Sequence, residues 1–361
     1  MKNKITAVIV TFERPKYLDR AIQSVLDQKT DGTIIKVHND GSGKETDNVI
    51  NKYIEAGAKL EHIRNESNIG SYANYMRAIK SVDTEYFSII ADDDYLCEGF
   101  YNKAISVLDR DESLIAAVFH SLFVDEEGEF VEAFSLDKSG EIKKLLSEEL
   151  FNSWGFNNDC DINMNWTSMV FRRKASEFYS QINLEYRDRG HDIYFLTRLF
   201  ARYPISTISL PGSYYTYSFD SVTSNFKPID HAQQVLRLNR LVEILFDPEV
   251  NKATKEGVSK LLDKKLTNVV KRNYRTALMA AFKDLVNISC SRKSYVDFEN
   301  ILQSFDDHSY KKTYSIFNYL YRSKLSRVAI RLLFSGLVTF SVNRRKKKSQ
   351  QIRDSYFHEY F

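Results

Sequence analysis

The chain has 361 residues, 43% of them hydrophobic and 27% charged, with a net charge of +3, a balance that fits a globular fold of one large or two smaller domains and gives no reason to expect a nucleic-acid partner. Only 5 prolines and 13 glycines speak against long linkers or low-complexity tracts, and no internal repeat is found. The three cysteines, Cys97, Cys160 and Cys290, lack metal-ligand spacing and are odd in number, which points to a reducing compartment.

The N-terminal "MKNKITAVIVTFERP" places lysines before an apolar stretch. That stretch is β-branched, ends by Phe12 and has no small-residue cleavage site, so it reads as a first core strand rather than a signal peptide. "PKYLDRAIQSVLDQ" follows as a helix, "TIIKVHND" as a strand and "KETDNVINKYIEAG" as a helix. A short strand at "KLEHIRN", a helix at "GSYANYMRAIKSV" and the strand "YFSIIA" complete the pattern. Strands alternating with helices predict an α/β fold with a doubly wound, mostly parallel sheet. "LIAAVFHSLFVDEEGEF" adds a strand, "NMNWTSMVFRRKASEFY" a strand entering a helix, and "HDIYFLTRLFARYP" a helix with Ile193, Leu196, Leu199 and Phe200 on its apolar face. From about Asp230 the pattern is mainly helical, which sets a boundary between residues 1–225 and 226–361. The last helix, "KLSRVAIRLLFSGLVTFSV", carries Lys324, Arg327 and Arg331 at helical spacing and runs into "NRRKKK". It reads equally as an interfacial helix on an anionic leaflet and as a helix packed on its own domain or a twin subunit. No stretch reaches the roughly 18 apolar residues that span a bilayer.

In an open α/β sheet, ligands bind at the carboxyl ends of the strands. "TFERP", "NDGSG", "NESNIG" and "DDDY" follow four successive strands, and together they suggest one site over ordinary loop chemistry. Three adjacent carboxylates, Asp92, Asp93 and Asp94, repel one another. They read either as a polar cap on the strand or as ligands awaiting a cation. In an extended segment Asp92 and Asp94 point one way and Asp93 the other, so one of the pair can ligate a metal while its fellow reaches it through water or contacts a ribose. "GSGK" at 41–44 lacks the spacing of a phosphate-binding loop. Trp154 and Trp166 are candidates for stacking on a sugar, against the commoner role of a buried core residue; Arg172 and Arg173 read as braces of their turn.

"AVIVTFERPKYLDRAIQSVLDQ", "NDGS", "NESNIGSYANYMRAI" and "YFSIIADDDYL" together resemble glycosyltransferase family 2, the inverting enzymes of GT-A (Rossmann-like) fold. The resemblance continues through "SMVFRRKA", "YRDRGHDIYFLTRL" and "SYYTYSFDSVTSN", covers residues 4 to 225, and leaves the helical C-terminal region outside. It implies that Thr11, Phe12, Glu13 and Arg14 form the first nucleotide-binding turn and that Asp40 bonds the base. Asn68 and Gly70 would border the nucleotide, Asp92 and Asp93 the ribose and donor sugar, and Asp94 would be the chief protein ligand of Mg²⁺ or Mn²⁺. Asp192 matches the catalytic base. Two positions depart from the pattern. His191 stands where an acidic residue often precedes the base, and it joins Trp166 as an acceptor-side candidate. Tyr215, Thr216, Tyr217 and Ser218 replace a segment that usually carries a basic pair for the diphosphate; Ser221, Thr223 or Ser224 would have to substitute by hydrogen bonding.

The resulting expectation is a metal-dependent, inverting hexosyl- or N-acetylhexosaminyl-transferase. It would use a nucleoside diphosphate sugar, UDP-linked in preference, and a glycan or lipid-linked acceptor of O-antigen or capsule type. The expected location is cytoplasmic, with peripheral contact to the inner face of the membrane through residues 324–348; a homo-oligomer is compatible with the sequence. The alternatives are a nucleotidyltransferase, disfavoured because "TFERPKYL" has no glycine, and a non-catalytic nucleotide-sugar or glycan binder or scaffold.

Overall fold

The computed structural model describes residues 4–133, 139–146, 165–179 and 191–217. The expected domain boundary near 226, the C-terminal helices with their basic tail, Trp154, and Ser218, Ser221, Thr223 and Ser224 lie outside them.

The first half follows the predicted alternation. Strand β1 (Ile5–Thr11) leads into helix α1 (Pro15–Leu26), β2 (Thr33–Asn39) into α2 (Lys44–Glu55), and β3 (Leu60–Arg64) into α3 (Ser71–Lys80). β4 (Tyr86–Ala91), the short β5 (Tyr95–Leu96) and α4 (Phe100–Arg110) follow. All seven residues of β1 are buried, as expected of a strand covered on both faces. α1 starts with Pro15 in its first turn and buries Leu18, Ala21, Ile22 and Val25, one face at helical spacing.

The predicted strand around "LIAAVFHSLFVDEEGEF" resolves into two, β6 (Ala116–Val124) and β7 (Phe130–Ala133), which pair antiparallel across the Glu126–Gly128 turn. β8 (Ile142–Leu145) precedes a 3₁₀ turn (Trp166–Ser168) that enters β9 (Met169–Arg172). α5 (Lys174–Tyr179), α6 (His191–Arg202) and β10 (Ile205–Thr216) complete the described chain. On α6, Leu196, Leu199 and Phe200 are buried, the apolar face read from the sequence.

The sheet runs β3-β2-β1-β4-β9-β6-β10-β5, with β7 on β6 and β8 on β10. β1 pairs parallel with both β2 and β4, and β2 with β3. β9 enters antiparallel between β4 and β6. The parallel block therefore puts the carboxyl ends of β1, β2, β3 and β4 on one edge, while the reversed β9 delivers the 3₁₀ turn to that same edge beside β4.

Candidate active site

The carboxylates at the end of β4 are held by different partners. Asp92 accepts hydrogen bonds from the Thr11 hydroxyl (2.8 Å) and the Phe12 amide (3.3 Å) at the end of β1. Arg14 reaches both Asp92 (3.4 Å) and Asp93 (2.7 Å). Asp94 instead accepts from the Thr167 hydroxyl at 2.8 Å, the Asn165 amide at 3.5 Å and the Thr216 backbone N–H at 3.1 Å. This corrects the extended-strand reading. Residues 92 and 93 form a turn, closed by the Asp94 amide on the Ala91 carbonyl, so Asp92 and Asp93 share one cation while Asp94 faces another wall.

Burial is the largest influence on Asp92 and Asp94, and the neighbouring Asp93 charge adds to it; together they hold both carboxyls well above the usual carboxylate range. Arg14 and the donors from β1 oppose this at Asp92, whereas no arginine or lysine pairs with Asp94 among the described residues. A buried carboxylate with excess negative charge beside it fits a divalent cation, which needs only one or two protein carboxylates when substrate phosphates supply other oxygens. Among the described residues no three His, Cys, Asp or Glu side chains converge as a complete protein cage. Asp94 fits such a shared site as one protein carboxylate, with a ligand supplying the other oxygens.

The second wall is the loop after β3. Asp40, only 3% exposed, accepts from the Asn65 amide (2.8 Å) and from the backbone N–H groups of Ile69 (2.9 Å) and Gly70 (3.1 Å). Its carboxylate therefore anchors the 65–70 loop, a task the sequence did not reveal. Asn68 caps the same amide of Gly70 at 2.8 Å, and Gly70, at φ +89°, opens α3. Gly41 has φ +76°, and a Cβ there would lie 2.7 Å from the Ser67 backbone, so only glycine lets the two loops touch. Glu13, itself at φ +56°, accepts from the Gly43 amide (2.7 Å) and donates its own N–H to Ser42 (2.9 Å). Phe12 and Ile69 project from these loops with 42% and 46% exposure.

Across the edge stands an aromatic group. Trp166 lies 4.7 Å from Tyr75, and the His191 ring is 5.3 to 5.5 Å from Tyr72, Tyr75 and Trp166. His191 is buried and neither ring nitrogen has a hydrogen-bond partner among the described residues; burial lowers its pKa, with Asp192 opposing. Asp192 is half-buried in the first turn of α6, where a carboxylate is favoured by the helix dipole. Tyr75 joins the two sides: its hydroxyl, raised mainly by burial, also feels the charges of Asp92, Asp93, Asp94 and Asp192.

Thr11, Arg14, Asp92 and Asp93 thus form one bonded set, and Glu13, Asp40, Asn68 and Gly70 brace the adjoining loops. Sequence reasoning missed Asn165, Thr167, Tyr72 and Tyr75. Asn-x-Thr just ahead of a strand was a capping signal, but its service to Asp94 depends on the antiparallel placement of β9. A separate polar groove of about 760 Å³ lies along the other flank of α1, lined by Tyr17, Arg20, Tyr53 and Tyr95. Arg20, on its wall, donates to the Asp93 carbonyl (3.1 Å) and the Thr216 hydroxyl (2.8 Å).

A GT-A-like sheet with clustered carboxylates at its strand ends defines the class of site. Residues 6–176 match the model described as glycosyl transferase family 2. It is 26% identical over 152 residues to the uncharacterized glycosyltransferase MJ1057 of Methanocaldococcus jannaschii, covering 41% of this chain and 52% of that protein. It is 25% identical over 145 residues to the GalNAc(5)-diNAcBac-PP-undecaprenol beta-1,3-glucosyltransferase of Campylobacter jejuni, covering 39% and 46%. The chain spans about half the length of these curated relatives. The fold is similar to the crystal structure of S. aureus TarS 1–349, with TM-score 0.59, 16% identity, and 83% of this chain and 79% of that one covered. TarS 1–349 has also been solved in complex with UDP-GlcNAc.

Proposed function

We propose that the chain transfers a sugar, with inversion, from a nucleoside diphosphate sugar to a hydroxyl of a glycan or lipid-linked acceptor. The observation that carries this reading is the split carboxylate triplet, with Asp92 and Asp93 sharing Arg14 and Asp94 without a cationic partner among the described residues. The nucleotide lies against the β1, β2 and β3 ends, with Asp40 and Thr11–Arg14 around base and ribose, and Asn68 and Gly70 at its border. UDP is favoured by the similarity to TarS, which has been solved in complex with UDP-GlcNAc. Asp94 would hold Mg²⁺ or Mn²⁺, which would supply positive charge to stabilise the departing nucleoside diphosphate. Asp92 and Asp93, oriented by Arg14 and Thr11, receive the sugar hydroxyls. Asp192 takes the proton of the attacking acceptor hydroxyl. The acceptor lies on its side of the edge, near Trp166 and His191. The C. jejuni relative, named for a PP-undecaprenol-linked substrate, supports a lipid-linked acceptor and surface-polysaccharide synthesis.

The same reading keeps residues 1–225 as the transferase domain and 226–361 as a helical extension on the cytoplasmic side. Its basic 324–348 segment would contact anionic lipid; deletion from Lys324 onward would lower binding to anionic liposomes. The central test is a panel of nucleotide sugars, with and without Mn²⁺, scored by thermal shift and nucleoside diphosphate release. Metal-dependent stabilisation by one donor, lost in Asp94→Ala, is the expected result. No response to any donor by the unaltered protein would refute the reading.

A further inference from the structure

Asp94 is oriented by a turn that lies far away in sequence. Asn165 caps the 3₁₀ turn by accepting the Thr167 N–H on its side-chain oxygen at 3.1 Å. With that oxygen committed, the amide nitrogen is the group that faces Asp94 (3.5 Å) and the Ser121 hydroxyl (3.2 Å). The Thr167 hydroxyl adds the shortest contact to the same carboxylate oxygen, at 2.8 Å.

Behind this pair sits a triangle of fully buried hydroxyls. Ser121 on β6, Ser168 in the turn and Ser213 on β10 lie 2.6, 3.2 and 2.6 Å from one another, each 0% exposed. Isolated hydroxyls at such depth would be costly, whereas here each satisfies another and the three bind β6, β10 and the turn into one unit. The turn cannot shift without breaking that triangle, and Asp94 cannot rotate without losing the turn.

From this chain of contacts we propose that Asn165 and Thr167 are positioning residues for the Asp94 carboxylate, and that the Ser121–Ser168–Ser213 triangle holds their turn in register. The two donors and the Thr216 N–H occupy part of the carboxylate's lone-pair capacity and fix its plane, leaving the remainder directed for a divalent cation. The turn also touches the opposite half of the site, since Trp166, between the two donors, packs on Tyr75 and His191. The proposal rests on the transferase reading above, because it takes Asp94 as a metal ligand.

The experiment measures Mn²⁺ affinity by electron paramagnetic resonance in the presence of UDP, and UDP affinity without metal by calorimetry. Thr167→Val and Asn165→Ala should each weaken Mn²⁺ by about 10- to 100-fold, the usual effect of removing an outer partner of a metal ligand. UDP affinity without metal should stay within about twofold, and Thr167→Ser, which keeps the hydroxyl, should restore Mn²⁺ binding. Asn165 is only half-buried, so its alanine variant supplies a folded protein if Thr167→Val destabilises the chain. Unchanged Mn²⁺ affinity in the alanine variant would overturn the positioning role and leave the transferase reading standing. Equal loss of metal-free UDP binding would also overturn it, since the turn would then be general scaffolding. If the unaltered protein binds neither UDP nor Mn²⁺, the transferase reading falls, and the positioning role with it.

Discussion

The two halves of the site are built from different materials. The half at the ends of β1, β2 and β4 is a web of charged and amide groups in which nearly every polar atom has a partner: Thr11 and Arg14 on Asp92, two backbone amides and Asn65 on Asp40, Glu13 on Gly43. The half formed by α3, the 165–168 turn and α6 is aromatic, and its central imidazole has no hydrogen-bond partner at either nitrogen among the described residues. A polar web fixes positions before a ligand arrives, which suits a charged nucleotide and metal. On the aromatic side Trp166 and His191 are buried and packed together, so under the proposed function the half-buried Asp192 carboxylate, not an open ring, is what meets the acceptor hydroxyl.

The largest effect that would sharpen this contrast is at the base. Asp192→Asn should lower transfer by about 10² to 10⁴-fold while leaving donor affinity and metal dependence intact. Unchanged turnover would remove Asp192 from the chemistry and leave the two halves without a catalytic link. Next comes Asp94→Asn. If Asp94 holds the metal as proposed, losing its charge should reduce transfer by about a thousandfold, roughly 4 kcal/mol of transition-state stabilisation. Because Asp94 is a buried carboxylate beside Asp93 with no cationic partner, the metal-free variant should melt no lower than the parent in a thermal-unfolding scan. A variant that melts well below the parent would show that the carboxylate serves the fold more than the metal.

A third effect lies wholly within the polar half. Gly41→Ala forces a side chain to within 2.7 Å of the Ser67 backbone at a positive φ, and should cost about 2 to 4 kcal/mol in urea unfolding. Since Ser67 belongs to the loop that Asp40 anchors, the Michaelis constant for the donor should rise more than turnover falls. A matching change at Gly57, also at positive φ but with nothing within 4 Å, should cost only the backbone strain, which separates local strain from the loop contact.

How far the sequence could be read follows the same division. The β1–β4 half was legible because hydrophobic runs alternate with polar strand ends, and a parallel sheet places those ends together whatever its finer geometry. Thr11, Arg14, Asp92 and Asp93 therefore converge as expected. What was illegible arises from contacts across long separations. Asp94 finds Thr167 73 residues away because β9 runs against β4, and nothing local in "NMNWTSMVF" announces that reversal. The three aspartates in a row also invited an alternating-strand reading, which failed because the strand had already ended at Ala91. Tyr75 was indistinguishable from a core tyrosine on an amphipathic helix until its neighbours, the three carboxylates after β4 and Asp192 on α6, were known.

The buried His38 carries the comparison into pH dependence, and here the expected effect is smallest. His38, on β2 beneath α3, has one ring nitrogen 3.1 Å from the Ser81 hydroxyl, while its Nδ1 is buried without a partner. Ser81 already donates its own proton to the Ala78 carbonyl (2.7 Å), so His38 must donate through Nε2 and keep Nδ1 bare. Protonating Nδ1 would place a charge in a dry site facing Lys36 and Arg77, and burial with those two cations lowers the pKa from 6.5 to about 4. The unfolded chain then binds the proton first, so this contribution is complete above pH 6.5 and is lost as pH falls toward 4, by at most about 3 kcal/mol. Asp92 and Asp94 act in the opposite sense, because their raised folded pKa values favour the native state at low pH and less so as pH rises. The comparison of parent and His38→Gln by urea unfolding between pH 7 and pH 4.5 cancels the carboxylates. The stability difference in favour of the parent should shrink by about 2 kcal/mol over that interval. A difference that stays constant would mean that the buried imidazole is hydrated and that the polar half is wetter than its hydrogen bonds imply.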